Sequence, residues 1–386
     1  MKQIITHLRL LFLVSILGFI VSCSTADNSD PPAALTSIEN PEFVRQLWST
    51  DSGKGIDLNF SRIQPLLLGS YIYTIDTLGA IQKIDPDNGK KIWSFKSGLA
   101  ASAGLTGNSS GILATSRNGE VAFYEFTDES LTLKWKKEIR SEILSRAVLS
   151  ENQVIIRTVD GRIVALDANN GQEQWAVSRR VPALSLTGSS YPIVTDELVI
   201  SGFDNGKLVA FDLKQGSSVW ETTVASPSGR SEIERLVDLD GQFVLRDGVI
   251  YISSYQGNLV AVTVSNGQVI WSRKFSSFQA IDIDQDALYL TDDKSHIWAI
   301  DRRTGSAFWQ QDVLNGRKIT APLVIKDRLV VADYDGYVHW LDKQDGRIVA
   351  RKETYGIRFL TQPIVQDNKV IVIDSTNQLI ALTQAR

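Results

Sequence analysis

Short runs of apolar residues alternate with polar turn residues along almost the whole chain, and no segment shows a convincing helical period over 12 residues. One example is the apolar run 198–201, which the turn residues 204–206 separate from a second run at 208–211. A further turn over 213–216 leads into a stretch that carries Trp220. Asn-Gly and Asp-Gly pairs support tight hairpins, because both residue types tolerate a positive φ. The pattern predicts an all-β chain of short antiparallel strands.

A repeat organises these runs: an apolar pair, Asp, three residues, Gly, three residues and Trp. The complete copies are Asp85-Gly89-Trp93, Asp167-Gly171-Trp175, Asp212-Gly216-Trp220 and Asp301-Gly305-Trp309. Another copy has Thr263 in place of Asp, one ends at Ala350 in place of Trp, and a degenerate copy ends at Trp135 without the Gly. From Trp48 to Ala350 the mean period is about 43 residues, which is typical of a four-stranded propeller blade.

Each residue type that recurs in the repeat has a physical role. A small residue recurs in the strand before the Asp, as Ala165, Ala210, Ala261, Ala299 and Ala381. We expect it to let the neighbouring sheet approach, with the Trp filling the gap and its indole N–H bonded to one partner. The Asp is expected to accept hydrogen bonds from backbone amides of the turn that ends in Gly. A metal-binding role for single Asp residues is the alternative, and their constant place in a turn favours capping.

The ends of the chain indicate how the repeat closes. The last period has strand-like runs over 370–373 and 379–382, but the chain ends at Arg386 before any Gly and Trp. The missing strand is present at the other end, over 44–48. The other blades end at Trp93, Trp135, Trp175, Trp220, Trp271, Trp309 and Ala350. We therefore predict an eight-bladed β-propeller over 41–386, with four antiparallel strands per blade and an N-terminal strand that joins the C-terminal blade. Closure pairs edges that would otherwise be prone to aggregation.

Residues 1–22 have the pattern of a bacterial lipoprotein signal peptide. Lys2 and Arg9 accompany an apolar run over 10–21, which is too short to span a bilayer comfortably. The run ends in Ile-Val-Ser-Cys, which resembles a lipobox, and Cys23 is the only cysteine in the chain. We expect Cys23 to carry lipid, and Ser24 in place of Asp favours the outer membrane over the inner. The polar segment 23–40 is expected to be a flexible tether.

Composition narrows the function. The 40 basic and 44 acidic residues give a net charge of −4, without the basic excess typical of nucleic-acid binding. One Cys excludes an intramolecular disulfide and a Cys-based zinc cluster. Of the histidines, His339 is expected to pack in a strand, and His296 to be exposed at a turn position that Gly holds elsewhere. We predict no catalytic, cofactor-binding or metal-binding residues.

The repeats resemble those of the pyrroloquinoline-quinone dehydrogenase propellers. Together with the lipobox, they are more similar to the BamB family of outer-membrane assembly lipoproteins. Two segments, 181–188 and 231–240, resemble neighbouring inter-blade loops of that family, and 335–340 also matches it. The spacing of the repeats agrees in part with this resemblance. The longest step between repeats runs from Trp220 to Trp271, and its additional residues fall in 226–240. Long loops on rigid scaffolds tend to carry function.

The resemblance implies a non-catalytic scaffold of the β-barrel assembly machinery, anchored by lipid at the periplasmic face of the outer membrane. Its two loops would bind a periplasmic POTRA domain of BamA. The residues that this implies as contacts are Leu184, Leu186, Thr187, Asp238 and Asp240. The family often has Arg where this chain has Thr187, so the interface is expected to depend more on the leucines. Other barrel-assembly lipoproteins and unfolded outer-membrane proteins are the further implied partners, with a propeller that is monomeric outside the complex.

The residues alone leave other interpretations open. Leu184 and Leu186 alternate as in either a core strand or a surface strand, and Asp238 and Asp240 fit a solvated edge. A quinone-dependent dehydrogenase would need a catalytic Asp, a calcium site with Glu and Asn, and often a Cys pair, which this chain cannot form. A glycan-binding module would use exposed aromatic residues such as Tyr255, Tyr334 and Tyr355, for which blade packing is the alternative.

Overall fold

The computed structural model describes residues 31–55, 63–182, 190–228, 230–231 and 236–384. Within these ranges, 32 strands form eight four-stranded sheets that are antiparallel throughout. The predicted eight-bladed propeller is therefore confirmed. The contact pattern separates residues 1–32 from residues 33–386, and all eight sheets belong to the second unit. In the described ranges, no helix has both the length and the apolar character needed to cross a membrane.

The first four blades follow one another along the chain, each with its strands in sequence order. Blade 1 contains β2 (Leu66–Leu68), β3 (Tyr71–Ile75), β4 (Ala80–Ile84) and β5 (Lys91–Lys96). Blade 2 contains β6 (Thr106–Asn108), β7 (Gly111–Thr115), β8 (Glu120–Phe126) and β9 (Leu131–Glu138). Blade 3 contains β10 (Val148–Leu149), β11 (Gln153–Arg157), β12 (Arg162–Asp167) and β13 (Glu173–Ser178). Blade 4 contains β14 (Ile193–Val194), β15 (Leu198–Gly202), β16 (Lys207–Asp212) and β17 (Ser218–Thr223).

The remaining blades continue this order, and the last one borrows a strand from the N-terminus. Blade 5 contains β18 (Val244–Arg246), β19 (Val249–Ser253), β20 (Gly257–Thr263) and β21 (Val269–Phe275). Blade 6 contains β22 (Asp282–Ile283), β23 (Ala287–Thr291), β24 (Ile297–Asp301) and β25 (Ala307–Gln311). Blade 7 contains β26 (Leu323–Ile325), β27 (Arg328–Ala332), β28 (Tyr337–Asp342) and β29 (Ile348–Glu353). Blade 8 contains β30 (Ile364–Gln366), β31 (Lys369–Ile373), β32 (Gln378–Gln384) and β1 (Val44–Asp51).

The ring closes where the two ends of the chain pair. Strand β1 lies antiparallel to β32, from Val44 opposite Gln384 to Asp51 opposite Gln378. This pairing confirms the prediction that the N-terminal segment completes the final blade. The indole of Trp48 is buried between blade 8 and blade 1, and its N–H donates to the Pro86 carbonyl at 2.9 Å.

The repeated Trp joins each blade to the next. In six blades the indole N–H donates to the carbonyl of the residue after the Asp (or Thr263) of the following blade, at 2.9–3.1 Å. The six pairs are Trp48–Pro86, Trp135–Ala168, Trp175–Leu213, Trp220–Val264, Trp271–Arg302 and Trp309–Lys343. The Asp carboxylates accept amides of the same turns, as Asp85 does from Asp87 at 2.8 Å. Both the capping role of the Asp and the need of the indole for a partner are confirmed.

The small residue of the repeat lies directly opposite the Trp in the same sheet. Ala165 pairs with Trp175, and the register shifts immediately after this pair. The same pairing recurs at Ala210–Trp220, Ala261–Trp271, Ala299–Trp309 and Ala381–Trp48. Opposite residues of an antiparallel pair project from the same face, so the small side chain makes room for the indole. The same alanines lie in core clusters shared with the next blade, as Ala165 does with Val199 and Phe211 of blade 4, which agrees with the expectation that a small residue lets the neighbouring sheet approach.

Blade 7 reverses this pair, with Trp340 opposite Ala350. The reason lies in the next blade. A Trp at 350 would cap the turn between the third and fourth strands of blade 8, but those strands, β32 and β1, come from opposite ends of the chain and have no connecting turn. The N-terminal residues fill this place, because the Glu42 amide donates to the Val349 carbonyl at 2.8 Å. The Glu42 carboxylate also contacts Arg328 at 2.6 Å.

The expected tether over 23–40 is too long at its C-terminal end. The Ala33 amide donates to the Asn315 carbonyl at 2.9 Å, and the Ala33 carbonyl accepts from Arg317 at 3.1 Å. The Thr36 carbonyl accepts from Arg351 at 2.9 Å, and Leu35 packs against the core between blades 6 and 7. Segment 33–42 is therefore a strap along blade 7, although its polar composition suggested a linker.

The turn between the second and third strands has one left-handed residue in each blade. Gly occupies this position in five blades, as at Gly206 (φ 75°), and Gln256, Ser295 and Asn377 occupy it in the others. The expectation that His296 takes the Gly position is wrong, because Ser295 has the positive φ of 72°. The His296 side chain is only 17% exposed, and its Nδ1 lies 2.9 Å from the Asp292 carboxylate.

Candidate functional site

One side of the ring, which we call the loop face, carries two kinds of connection. These are the turns between the second and third strands, and the links from the fourth strand of one blade to the first strand of the next. Both loops singled out in the sequence are links of this kind, between β13 and β14 and between β17 and β18. Because every blade contributes to this face, it brings together residues that are far apart in the sequence.

A cavity of about 540 Å³ opens at the centre of the loop face, and residues from all eight blades line it. The residue two positions before each innermost strand forms a belt around the opening. The belt residues are Gln64, Gly104, Arg146, Tyr191, Gln242, Ala280, Ala321 and Gln362. The cavity volume falls in the range of sites that bind small molecules or a few residues of a peptide.

Glutamine amides of the belt and its neighbours connect adjacent blades. The Gln64 amide donates to the Gln362 carbonyl at 3.1 Å, and the Gln362 amide donates to the Pro322 carbonyl at 2.6 Å. The Gln279 amide reaches the Ile319 carbonyl at 3.4 Å. These bonds satisfy backbone carbonyls of the links that lead into β26 and β30, which stabilises the channel rim.

The described flanks of the two predicted loops are hydrogen-bonded to each other. The Ser190 hydroxyl, just after the first loop, donates to the Leu239 carbonyl in the second at 2.9 Å. The Tyr191 amide donates to the Gln242 side chain at 3.1 Å. Leu239 itself is buried and packs against Gly202, where an added Cβ would meet the leucine Cβ at 2.8 Å. The two loops therefore start from one shared, rigid base.

A buried ion pair supports this base. Arg157 of blade 3 and Asp204 of blade 4 are both buried and form a direct salt bridge between the blades. Arg157 Nη1 also lies 3.5 Å from the Ser190 carbonyl and hydroxyl. Removing one partner of such a pair leaves an uncompensated buried charge, so both residues fix the position of the loop base.

The residues predicted to contact a partner have different outcomes. Leu184, Leu186 and Thr187 lie outside the described residues, as does Cys23. Asp238 and Asp240 are described, and their side chains are 1% and 3% exposed. The solvent exposure that both interpretations of these carboxylates assumed is wrong in this chain, since every residue of the segment 236–240 is buried. The alternation of Val237 and Leu239 with the two aspartates did not reveal this, because alternation predicts one buried and one exposed face.

A second polar network lies in blade 7. His339 is fully buried, as expected, and its Nε2 lies 2.9 Å from the Asp333 carboxylate. Arg351 Nε lies 3.2 Å from Nδ1, which assigns Nε2 as the protonated nitrogen. Burial lowers the pKa of His339, although Asp333 opposes this change. Burial would raise the pKa of Asp333, but the hydrogen bond from His339 and the contact with Arg317 hold it below its ordinary value.

The lining of the central cavity does not match a calcium–quinone site. The quinone enzymes that the repeat resembles need Glu and Asn for calcium, but the described lining residues include neither, nor a Cys. No group of three or more His, Cys, Asp or Glu residues that could hold a metal was found in the described parts of the chain. Three acidic residues line the cavity, and the Asp292 carboxylate among them is already hydrogen-bonded to the side chains of His296 and Trp298.

A family model described as outer membrane protein assembly factor BamB matches residues 78–311 and 312–386. Outer membrane protein assembly factor BamB of Yersinia pestis is 32% identical over 307 residues, which cover 77% of this chain and 78% of that protein. The same factor of Bordetella pertussis is 33% identical over 303 residues, with coverage of 78% and 77%.

Solved structures show the same architecture. BamB from Moraxella catarrhalis superposes with a TM-score of 0.79 at 25% identity, over 88% of this chain and 100% of that chain. The quinohemoprotein alcohol dehydrogenase from Comamonas testosteroni gives a TM-score of 0.70 at 12% identity, over 89% of this chain and 77% of that chain. The latter similarity concerns the fold alone.

Proposed function

The chain belongs to the BamB family of outer membrane protein assembly factors, and on that premise we propose that it is a non-catalytic scaffold of the outer-membrane β-barrel assembly machinery. It is held at the periplasmic face of the outer membrane by lipid on Cys23. Its loop face binds a periplasmic POTRA domain of BamA, alongside the other barrel-assembly lipoproteins. In this role the ring orients BamA or unfolded outer-membrane proteins for insertion.

One observation carries this proposal: the bases of the two predicted loops are hydrogen-bonded into a single platform through Ser190, Leu239 and Gln242. Loops on a rigid base lose less conformational entropy when they bind, which favours a protein interface. Leu184 and Leu186 belong to the first loop and would supply apolar anchors at the centre of that interface. Tethering both partners to one membrane raises their effective concentration.

The buried aspartates take a supporting role in the proposal. Asp238 and Asp240 are buried at the C-terminal end of the second loop, where a carboxylate must be compensated by neighbouring polar groups. We therefore assign them to holding the loop in its binding shape rather than to direct contact. Thr187, in place of the Arg that is frequent in the family, leaves the contact centred on the two leucines.

The experiment replaces both leucines with a charged residue. The full chain carrying Leu184→Glu and Leu186→Glu should lose capture of purified BamA POTRA domains by at least about tenfold, because two desolvated apolar anchors are removed. The matched control makes the same change at Leu133 and Val219, which are half-exposed on the outer strands β9 and β17. Capture that is unchanged in the first variant, with both variants folded by circular dichroism, would reject the proposed surface.

A further inference from the structure

A second group of exposed residues lies on the loop face, across the channel from the two predicted loops. Tyr355 is 87% exposed and Ile357 is 54% exposed, and both belong to the link between β29 and β30. Exposed apolar side chains that cluster on a surface, rather than lie singly, mark interaction sites. Together with Lys318, Tyr334 and Arg358 they form what we call the blade 7–8 patch.

Two cations flank one aromatic ring in this patch. The Lys318 ammonium lies 5.1 Å from the centre of the Tyr334 ring, and the Arg358 guanidinium carbon also lies 5.1 Å from it. Among the described residues, neither cation forms an ion pair with a carboxylate. The nearby Asp335 is already paired with Arg317 at 2.9 Å. The patch is therefore positively charged, with its cations held in place by the tyrosine.

The backbone of the patch is strained and firmly held. Lys318, Tyr355 and Arg358 have φ values of 50°, 57° and 57°, in the left-handed region that residues with a Cβ seldom adopt. Hydrogen bonds fix this geometry, since the Ile357 amide donates to the Asp374 carboxylate at 3.0 Å and the Ile357 carbonyl accepts from the Ser375 hydroxyl at 2.7 Å. Strain that the surrounding structure maintains is a common feature of binding surfaces.

The patch continues into the central cavity. Lys318 and Tyr334 line its wall, and Thr361 follows a few residues after the exposed loop. The hydroxyls of Ser145 and Thr361 are buried in this lining and have no hydrogen-bond partner among the described residues. Buried hydroxyls without a partner are costly, and the amide and carbonyl groups of a bound chain would satisfy them.

We propose that the blade 7–8 patch is a second docking site, for an extended acidic segment of another polypeptide. Carboxylates of the segment pair with Lys318 and Arg358, and an apolar side chain packs on Tyr355 and Ile357. Uncharged residues of the segment enter the cavity, whose lining includes three aspartates, and bond to its free hydroxyls. Charge complementarity selects a polyanionic partner, and the cavity hydroxyls favour a peptide over a smooth lipid surface. This site goes beyond the proposed function, which uses the loops of blades 3–5.

The test measures binding of a fluorescein-labelled peptide of Asp, Phe and Gly to the full chain by fluorescence anisotropy. We expect Lys318→Glu with Arg358→Glu to weaken binding by at least about tenfold, because two charge-assisted contacts become repulsive. Tyr355→Ala should weaken it several-fold through lost apolar contact. The matched control is Lys83→Glu, since the Lys83 ammonium also lies over a tyrosine ring, 3.8 Å from the centre of Tyr71, but in blade 1 and at the end of the strands opposite the loop face.

Four outcomes decide whether the proposal stands. The proposal would be overturned if a peptide with Lys in place of Asp bound as tightly as the acidic peptide. It would also be overturned if Lys318→Glu with Arg358→Glu left binding of the acidic peptide unchanged. If anionic phospholipid vesicles displace the peptide, and their own binding requires Lys318 and Arg358, the occupant of the patch is a membrane. That result would also overturn the proposal. Retained peptide binding in the Leu184→Glu and Leu186→Glu variant would support a site separate from the proposed POTRA interface, whatever that variant does to POTRA capture.

Discussion

At the residue scale, Gly, Asp and Trp of the repeat act as one unit across the gap between two blades. Gly216 has a φ of 70°, and an added Cβ would lie 2.5 Å from Cε3 of Trp175. The same contact recurs between Gly171 and Trp135 and between Gly346 and Trp309. The Gly is thus required twice, once for its left-handed backbone and once because the indole of the preceding blade lies directly on it.

Replacing this Gly separates the two requirements. Gly216→Ala should lower the free energy of unfolding by about 2 kcal/mol or more, because it combines backbone strain with overpacking. Gly248→Ala is the control, since Gly248 has a φ of 75° but nothing within 4 Å of the added Cβ. It should cost only about 1 kcal/mol. Thermal unfolding measures both, and equal losses would show that the indole contact contributes nothing.

His339 supplies a pH dependence at the same scale. Its pKa is lowered by burial in the folded chain, so between that value and its ordinary pKa of 6.5 the unfolded chain binds more protons. Stability is then complete above about pH 6.5 and falls as the pH drops toward the folded pKa. Asp333, whose pKa is also lowered, adds a loss in the same direction at more acidic pH.

This pH dependence can be measured directly. Between about pH 7.5 and pH 5, the unfolding free energy should fall by up to about 1.4 kcal/mol per pH unit for one proton. His339→Gln should flatten that slope, because its amide can still donate to Asp333 without titrating. Parallel slopes in the unaltered protein and in this variant would contradict the role given to His339.

At the element scale, a blade is completed only by its neighbours. In every blade except blade 7 the outer strand carries a Trp, and blade 8 obtains its outer strand from the N-terminus. Strand β1 stabilises the ring through its pairing with β32 and through the contact of the Trp48 indole with Gly89 of blade 1. Both contributions are lost together if the strand is removed, because blade 1 then lacks its cap and blade 8 its edge.

Deleting 44–48 should therefore destabilise the whole ring by at least about 3–5 kcal/mol, the usual loss for removing a buried Trp. Thermal unfolding monitored by circular dichroism gives the change. Adding a synthetic peptide that spans β1 should restore part of the loss in a concentration-dependent manner. A melting temperature that the deletion leaves unaltered would count against the shared blade.

At the scale of the whole molecule, the strap fixes where the chain leaves the ring. Ala33 is hydrogen-bonded to Asn315 and Arg317 beside the loop face, and it lies ten positions after Cys23 in the sequence. A chain of that length reaches at most about 35 Å when fully extended. In the proposed function, where Cys23 carries lipid, this length limits the distance between the membrane and Ala33, and a membrane-bound partner is concentrated within that range.

The strap depends on Arg351, whose guanidinium joins the Thr36 carbonyl to His339. Arg351→Ala should speed cleavage after Glu39 by a glutamyl endopeptidase about tenfold, since a charged hydrogen bond contributes roughly 1.5 kcal/mol to holding the segment down. Arg347→Ala is the control, because that side chain is largely exposed on the same blade. Equal cleavage rates in the two variants would argue against a docked strap.

The sequence by itself determined the fold, because a period near 43 residues with Trp, Gly and Asp at fixed places admits few arrangements. It also determined the closing strand, since Val44 to Trp48 completes the one repeat that lacks its end. Only the tertiary structure decided the burial of Asp238 and Asp240, the strap over 33–42 and the blade 7–8 patch. Each of these depends on contacts between residues far apart in the chain, and a local pattern of apolar and polar residues carries no information about such contacts.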